Sequence, residues 1–122
     1  MKPKRSALDF IKDVVDAGER AIRHVEGMTQ EKFLGDERTR DAVRMCLADI
    51  GEAANRAVVL DPTLKDEFPE FEADAAYAMR IILTHSYFEV DTSILWQTVN
   101  QSIPKIVDEA KKILQGRGAK KA

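Results

Sequence analysis

Apolar side chains recur every three or four residues along most of the chain, and no stretch alternates apolar and polar residues as a half-buried strand would. This period places the apolar residues on one face of a helix, so the pattern predicts an all-α protein. The clearest stripe, in which Gly18 is the one member without an apolar side chain, consists of Leu8, Ile11, Val15, Gly18, Ile22 and Val25.

Two local signals bound this first helix. Ser6 is followed three residues later by Asp9, a variant of the capping box that marks helix N-termini, and Gly27 is a residue that commonly ends a helix. The connector that follows, residues 29–35, contains Phe33 and Leu34, and we expect both to plug one end of the helical bundle.

A second helix is predicted from near Asp36 to about Leu60. Its inner face should contain Val43, Leu47, Ile50, Ala54, Ala57 and Leu60. Small residues are dense on it, which lets another helix approach closely, and packing within the chain and a dimer contact fit this equally well. These residues are Ala48, Gly51, Ala53, Ala54 and Ala57. We interpret Glu52 as an ion-pair partner rather than a catalytic base.

The third helix is predicted to open at Pro69, because proline is favoured in the first helical turn. Its inward residues should be Phe71, Ala75, Ala78, Met79, Ile82 and Leu83.

Asp91 is predicted to cap a fourth helix, with Val90 and Leu95 as a hydrophobic staple. Its stripe should be Leu95, Val99, Ile103, Ile106, Ala110 and Ile113. Trp96 should anchor either the core or a subunit contact. Pro104 removes one backbone donor and should bend this helix rather than end it.

The 122 residues predict one domain with one core, residues 1–122, built as a four-helix, roughly antiparallel bundle. Residues 6–114 should form the ordered bundle. Residues 115–122 should form a basic, flexible tail.

The composition of the chain argues against several classes of protein. The net charge of −2 argues against a general nucleic-acid-binding protein. The segment from Asp61 to Asp74 has six acidic residues against one lysine, which does not favour approach of RNA. No apolar run approaches the roughly 20 residues that cross a membrane, and the basic start does not resemble a signal peptide. Cys46, the single cysteine, should be a buried, inert thiol in a reducing cytoplasm.

The side chains best suited to chemistry at a phosphate are those of Arg80, His85 and Tyr87. Arginine fits a phosphate and histidine moves protons near neutral pH, although single residues of these types near a helix end are commonly solvated or capping groups. Arg80 and Tyr87, seven residues apart, share a helix face, whereas His85 points aside. The three converge only if the helix ends near Thr84–Tyr87 or a second subunit completes the site. No metal-ligand spacing is present, so we expect no metal or cofactor.

The surroundings of this group resemble the HepT-like proteins of the HEPN superfamily. The similarity extends from about Leu8 to Ile106. The matching segments are Arg40-Asp41-Ala42-Val43-Arg44, Ile50-Gly51-Glu52-Ala53-Ala54, Arg80-x4-His85-x-Tyr87, Val90-Asp91 and Ile94-Leu95-Trp96.

The resemblance implies a specific function. HepT-like proteins are toxins of toxin–antitoxin pairs and act as metal-independent ribonucleases on RNA. They work as homodimers, with the motifs corresponding to Arg80 and His85 facing one cleft. Their antitoxin is a nucleotidyltransferase of the MNT type, which transfers AMP groups to the motif tyrosine, here Tyr87.

One position departs from the family pattern. A polar residue, commonly asparagine, usually follows the motif arginine, but here the residue is Ile81. Isoleucine cannot orient a phosphate, so Thr84 or Ser86 would have to supply that support. The departure and the acidic segment also suit an alternative, a non-catalytic binding subunit of a nucleotidyltransferase. A structural helical dimer without a site is the third possibility.

Overall fold

The computed structural model describes residues 4–85 and 90–121, with side chains to residue 118. Helices dominate this part of the chain and no strand occurs in it, so the predicted all-α class is confirmed. The elements are α1 (Ala7–His24), α2 (Gln30–Leu34), α3 (Glu37–Leu60), α4 (Thr63–Glu67), α5 (Ala73–His85), α6 (Thr92–Gln97), a π-helical segment (Thr98–Ser102) and α7 (Ile103–Lys121).

Four of these helices, α1, α3, α5 and α7, are long. The central pair is α1 and α3; α5 packs on α3, and α7 packs on α1. The antiparallel, HEPN-like bundle stays a prediction. Among the described residues, no helix is both long and apolar enough to cross a membrane.

The predicted boundaries of α1 are confirmed. Ser6 Oγ accepts a hydrogen bond from Asp9 N (3.2 Å), and Asp9 Oδ2 accepts one from Ser6 N (2.9 Å). Gly27 follows the helix with φ +76°, a conformation that favours glycine. The predicted stripe faces the core, with Leu8, Val15 and Ile22 half-buried at its edge. Its buried centre consists of Ile11, Val14, Ala17, Gly18, Ala21 and Val25.

Phe33 closes one end of the core, as predicted. It is fully buried on α2, and its ring centroid lies 5.2 Å from that of Trp96. Trp96 therefore anchors the core of its own chain. The prediction for Leu34 is wrong, because this side chain is 40% exposed. A five-residue helix covers the core with one side only.

Helix α3 begins and ends where predicted. Asp36 caps it by accepting from Thr39 N (3.1 Å). The inner face is confirmed except at Leu60, the last residue of α3, which is 48% exposed. Cys46 is buried, as predicted, and burial raises the pKa of its thiol.

The start predicted for the third helix is wrong, and its predicted inner face is confirmed only in part. Helix α5 begins at Ala73 rather than at Pro69, with the short α4 before it. Of the six predicted inward residues, Phe71 and Leu83 are buried and Met79 is half-buried. Ala75, Ala78 and Ile82 are exposed, because α5 packs mainly on one neighbour, α3.

The C-terminal helices follow the predicted pattern. Asp91 caps α6 by accepting from Ser93 N (2.8 Å), and every residue of the predicted stripe from Leu95 to Ile113 is buried. The helix continues through Pro104, as expected. Helix α7 also extends past Gln115, where the sequence predicted a tail, to Lys121. Arg117 there forms ion pairs of 3.0 Å with Asp61 and Glu67.

Candidate functional site

Arg80 lies at a close contact between α5 and α3. The position facing it is Gly51, which has no side chain. A Cβ atom there would lie 2.6 Å from Arg80 Cβ and nearer still to the carbonyl oxygen of Ala76. Both distances are too short for real atoms. At this position, the small residue on α3 therefore serves packing within the chain, one of the two interpretations left open by the sequence.

Glu52 holds the guanidinium group of Arg80. Glu52 Oε2 lies 2.9 Å from Arg80 Nε, and its other oxygen accepts from Arg56 Nε at 2.7 Å. The side chain of Arg80 is 29% exposed, so water screens this pair only in part. The predicted ion-pair role of Glu52 is confirmed. Sequence spacing signals the pair with Arg56 four residues on, but the contact with Arg80 depends on the fold.

Tyr77 is a further neighbour of Arg80 that we did not predict. Its ring centroid lies 5.9 Å from Arg80 Cζ, within the range of cation–π attraction. The two residues are three apart on α5, a spacing that places side chains together on a helix surface. Gly51 thus lies against the Cβ of Arg80, Glu52 lies against its Nε, and Tyr77 lies near its guanidinium carbon.

His85 is exposed and is the last residue of α5. It forms no recorded hydrogen bond or ion pair with the residues that the structure describes. Because α5 stays helical from Arg80 to His85, the two side chains leave the axis about 140° apart. This agrees with the prediction that the motif does not converge on a continuous helix.

The other predicted site residues lie around the end of α5. Thr84 Oγ1 donates to the carbonyl oxygen of Arg80 at 2.9 Å, so its proton is used within the helix. The side chain of Ile81 is 36% exposed and offers no polar atom. Tyr87, the predicted modification site, and Ser86, the second supporting residue, lie outside the described residues.

Part of the acidic segment is neutralised within the chain. Asp61 and Glu67 pair with Arg117, and Asp74 Oδ2 lies 2.8 Å from Lys65 Nζ. These contacts reduce the net negative charge that the segment presents to an anion.

An open cavity of about 430 Å³ lies between α5 and α7, and its lining includes neither Arg80 nor His85. Leu47 and Ile50 contribute to its apolar part, while Glu70, Glu72 and other acidic side chains also line it. Across the described residues, no group of three or more His, Cys, Asp or Glu side chains could hold a metal ion.

Comparison with known proteins identifies the family of this chain. Residues 7–113 match the family model described as "Ribonuclease HepT-like". The "Probable ribonuclease HepT" of Thermococcus cleftensis is 34% identical over 110 residues, which cover 90% of this chain and 97% of that protein. The "Putative RNase MJ1216" of Methanocaldococcus jannaschii is 30% identical over 113 residues, 93% of this chain and 91% of that protein. No solved structure matches the chain. The chain belongs to the HepT-like ribonuclease family.

Proposed function

We propose that this protein is a metal-independent endoribonuclease that uses Arg80 and His85 in a cleft between two subunits. The observation that carries the proposal is the fixed guanidinium of Arg80. Glu52 occupies its Nε, which leaves the Nη groups for a phosphate. A side chain that is already oriented loses less entropy when it binds the transition state.

The reaction follows from the chemistry of these two side chains. His85 removes the proton of a ribose 2′-hydroxyl, whose oxygen attacks the adjacent phosphorus, and the bond to the 5′-oxygen breaks. Arg80 stabilises the negative charge that gathers on the phosphorane oxygens. A second imidazole returns a proton to the departing 5′-oxygen. The products are a 2′,3′-cyclic phosphate and a free 5′-hydroxyl.

A homodimer supplies that second imidazole. Within one chain, Arg80 and His85 leave the regular helix α5 in different directions, so two copies are needed to bring a complete set together. The exposed face of α5 suits such a contact, because Ile81 and Ile82 are 36% and 47% exposed. Burial of these side chains against a second copy would be favourable.

The same proposal includes control by an antitoxin. A nucleotidyltransferase of the MNT type would transfer AMP to Tyr87, two residues beyond His85. The added phosphodiester would neutralise Arg80, and the attached base would fill the cleft. This part rests on the family resemblance. Replacement of Tyr87 by Phe should leave the toxin active in cells that express the antitoxin; equal protection of both forms would exclude modification as the main control.

The first experiment is cleavage of a labelled, structured RNA in EDTA by the purified protein. Intact mass is measured first, because a copy that carries AMP would be inactive. His85→Ala should abolish cleavage. His24→Ala is the matched control, since His24 is the other histidine, is exposed on α1 and should be dispensable. Cleavage that survives in His85→Ala would exclude the mechanism.

A second candidate function is a non-catalytic binding subunit of a nucleotidyltransferase. The exposed Ile81 favours it, because the family usually has a polar residue there that can assist catalysis. This candidate predicts a stable complex with the nucleotidyltransferase and no cleavage by unmodified wild-type protein. Cleavage that depends on His85 would exclude it.

A further inference from the structure

Arg56 and Arg80 share one carboxylate, although they belong to different helices. Arg56 Nε donates to Glu52 Oε1 at 2.7 Å, and Arg80 Nε forms an ion pair with the other oxygen, Oε2, at 2.9 Å. The two groups are therefore neighbours on one surface. No other ion pair is recorded for either of them with the described residues.

Because Glu52 contacts each guanidinium group at Nε, the two Nη atoms of each group remain available to bind a ligand. A guanidinium group has five N–H donors, four of which are on the two Nη atoms. With Nε bound to a carboxylate, the Nη edge of each group is left to bind a second anion in the bidentate manner of arginine and phosphate. Arg56 is 59% exposed and accessible to such a ligand. Two arginines and one carboxylate carry a net charge of +1, which suits a polyanion.

We propose that Arg56 is a second phosphate-binding residue, which binds the RNA phosphate next to the one that Arg80 contacts, and that Glu52 is the positioning residue for both. The inference rests on the proposed ribonuclease function, because it takes RNA as the ligand and Arg80 as the contact to the scissile phosphate. It adds a substrate contact on α3, outside the Arg80–His85 motif.

The surface beyond Arg56 indicates where the RNA backbone would continue. Lys4, Arg5 and Phe10 line an open cavity of about 590 Å³ together with Glu52 and Arg56. The guanidinium carbon of Arg5 lies 4.5 Å from the centre of the Phe10 ring, and that of Arg56 lies 5.8 Å from it. The charged residues that line this cavity are three cations and one anion, and Asp13 beside it pairs with Arg5 at 2.7 Å, which leaves a net charge of +1. The RNA backbone would continue from Arg56 towards the N-terminus of α1.

Cleavage of two substrates of different length distinguishes a phosphate contact of Arg56 from a purely structural role. A dinucleotide has one phosphate, which only Arg80 should contact, whereas a single-stranded oligonucleotide also has the phosphate assigned to Arg56. Arg56→Gln should raise KM about tenfold for the oligonucleotide and much less for the dinucleotide, which loses only the attraction of a nearby charge and no direct contact. Arg38→Gln, which removes the same charge from an exposed position of α3, is the control.

Glu52→Gln tests the positioning role. Glutamine keeps the size and one acceptor oxygen but removes the negative charge between the two arginines. We expect kcat to fall because Arg80 is less well oriented, and KM to fall because the site becomes more positive. A residue that only stabilised the fold would not change these two constants in this way.

The salt dependence of RNA binding tests the Arg56 contact independently of RNA cleavage. For single strands, the slope of log K against log salt is about −0.7 per neutralised phosphate, so Arg56→Gln should reduce its magnitude by about 0.7. If the wild type shows this Arg56-dependent binding but cleaves neither RNA, the ribonuclease proposal fails and the phosphate contact stands. If Arg56→Gln binds with the wild-type slope, or impairs both substrates equally, the contact is wrong.

Discussion

Gly51 and Arg80 meet across the contact between α3 and α5, and the absence of a side chain at position 51 allows the arginine to reach Glu52. The backbone of α5 is equally close, because the carbonyl oxygen of Ala76 faces Gly51. A backbone atom cannot rotate away as a side chain can, so the position of the whole helix depends on this glycine.

Gly51→Ala should therefore push α5 away from α3. We expect the free energy of unfolding to fall by about 1–3 kcal/mol, the usual cost of overpacking, and RNA cleavage to fall with it. Urea unfolding measures the first effect. Gly116→Ala is the control, since a Cβ there would lie 3.6 Å from Phe68 Cζ, an ordinary contact, and should stabilise α7 slightly. Unchanged stability of Gly51→Ala would contradict the close packing.

The hydrogen-bonded carboxylate of Asp61 makes stability depend on pH. Hydrogen bonds from Thr63 and the nearby charge of Arg117 lower the pKa of Asp61. A lowered pKa in the folded state gives stability that is present above the unfolded value of about 3.9 and is lost as the pH falls through the folded value. Asp61→Asn should thus destabilise the protein at pH 7, and this difference should shrink below about pH 4.

Thermal unfolding from pH 3 to pH 7 checks this prediction. Asp66→Asn is a suitable control, because Asp66 is exposed on α4 and has no recorded ion pair with a described residue. A difference between Asp61→Asn and wild type that stayed constant at acidic pH would show that charge is not its cause.

Cys46 should react slowly with thiol reagents in the folded protein. It is only 4% exposed, and burial raises the pKa of the thiol, so little thiolate is present. Reaction with a disulfide reagent at pH 8 should be slow in buffer and complete in urea. In Met45→Cys, the new thiol occupies a position whose native side chain is 65% exposed, and it should react rapidly. Equally rapid reaction of Cys46 in the wild type would show that the core opens readily.

Ile81→Asn should raise the rate of RNA cleavage. Asparagine restores the polar residue usual after the motif arginine, and position 81 is sufficiently exposed for its amide to contact a phosphate. We expect kcat to rise several-fold in single-turnover experiments, which corresponds to about 1 kcal/mol of transition-state stabilisation. Ile81→Leu controls for packing and should leave kcat unchanged. If both variants behave alike, the polar residue is not needed.

Ile82→Glu should convert the proposed dimer into monomers. Ile82 is 47% exposed on the face of α5 that we assign to the subunit contact, where a buried, unpaired carboxylate would be costly. Light scattering after size-exclusion chromatography measures the mass. Met45→Glu introduces the same charge at an exposed apolar residue of α3 and should not alter it. A dimer that persists in Ile82→Glu would place the contact elsewhere.

The parts of the fold that were predicted correctly depend on short-range interactions. Ser6, Asp36 and Asp91 cap helices by hydrogen bonds to residues two or three positions away, so the sequence itself contains both partners. Errors arose where burial depends on a neighbouring element. Leu34, Leu60 and Ile82 are apolar and fit a helical period, but no second element covers them within the described residues.

In the candidate site, too, local features could be predicted from the sequence, whereas contacts between helices could not. The Arg80–His85 motif and an ion-pair role for Glu52 were predicted from the sequence, although the partners of Glu52 were not. The contact of Glu52 with Arg80 joins residues 28 positions apart and depends on the packing of α3 against α5. Nothing in the local pattern specifies which residue of α5 would face Glu52.

The π-helical segment ahead of Pro104 has a consequence for the evolution of this chain. Its hydrogen bond from Ile103 N to Thr98 O spans five residues, and this wide turn accommodates the prolyl residue that cannot donate. A π turn contains one residue more than an α turn, so a single-residue insertion is already absorbed here. Loss of one exposed residue, such as Gln101, would convert this segment into a regular α-helix and leave Ile106 and Ile113 in the core. Loss of a second residue would rotate α7 by about 100° relative to α6. Homologous chains should therefore differ by at most one residue in the spacing between Leu95 and Ile106.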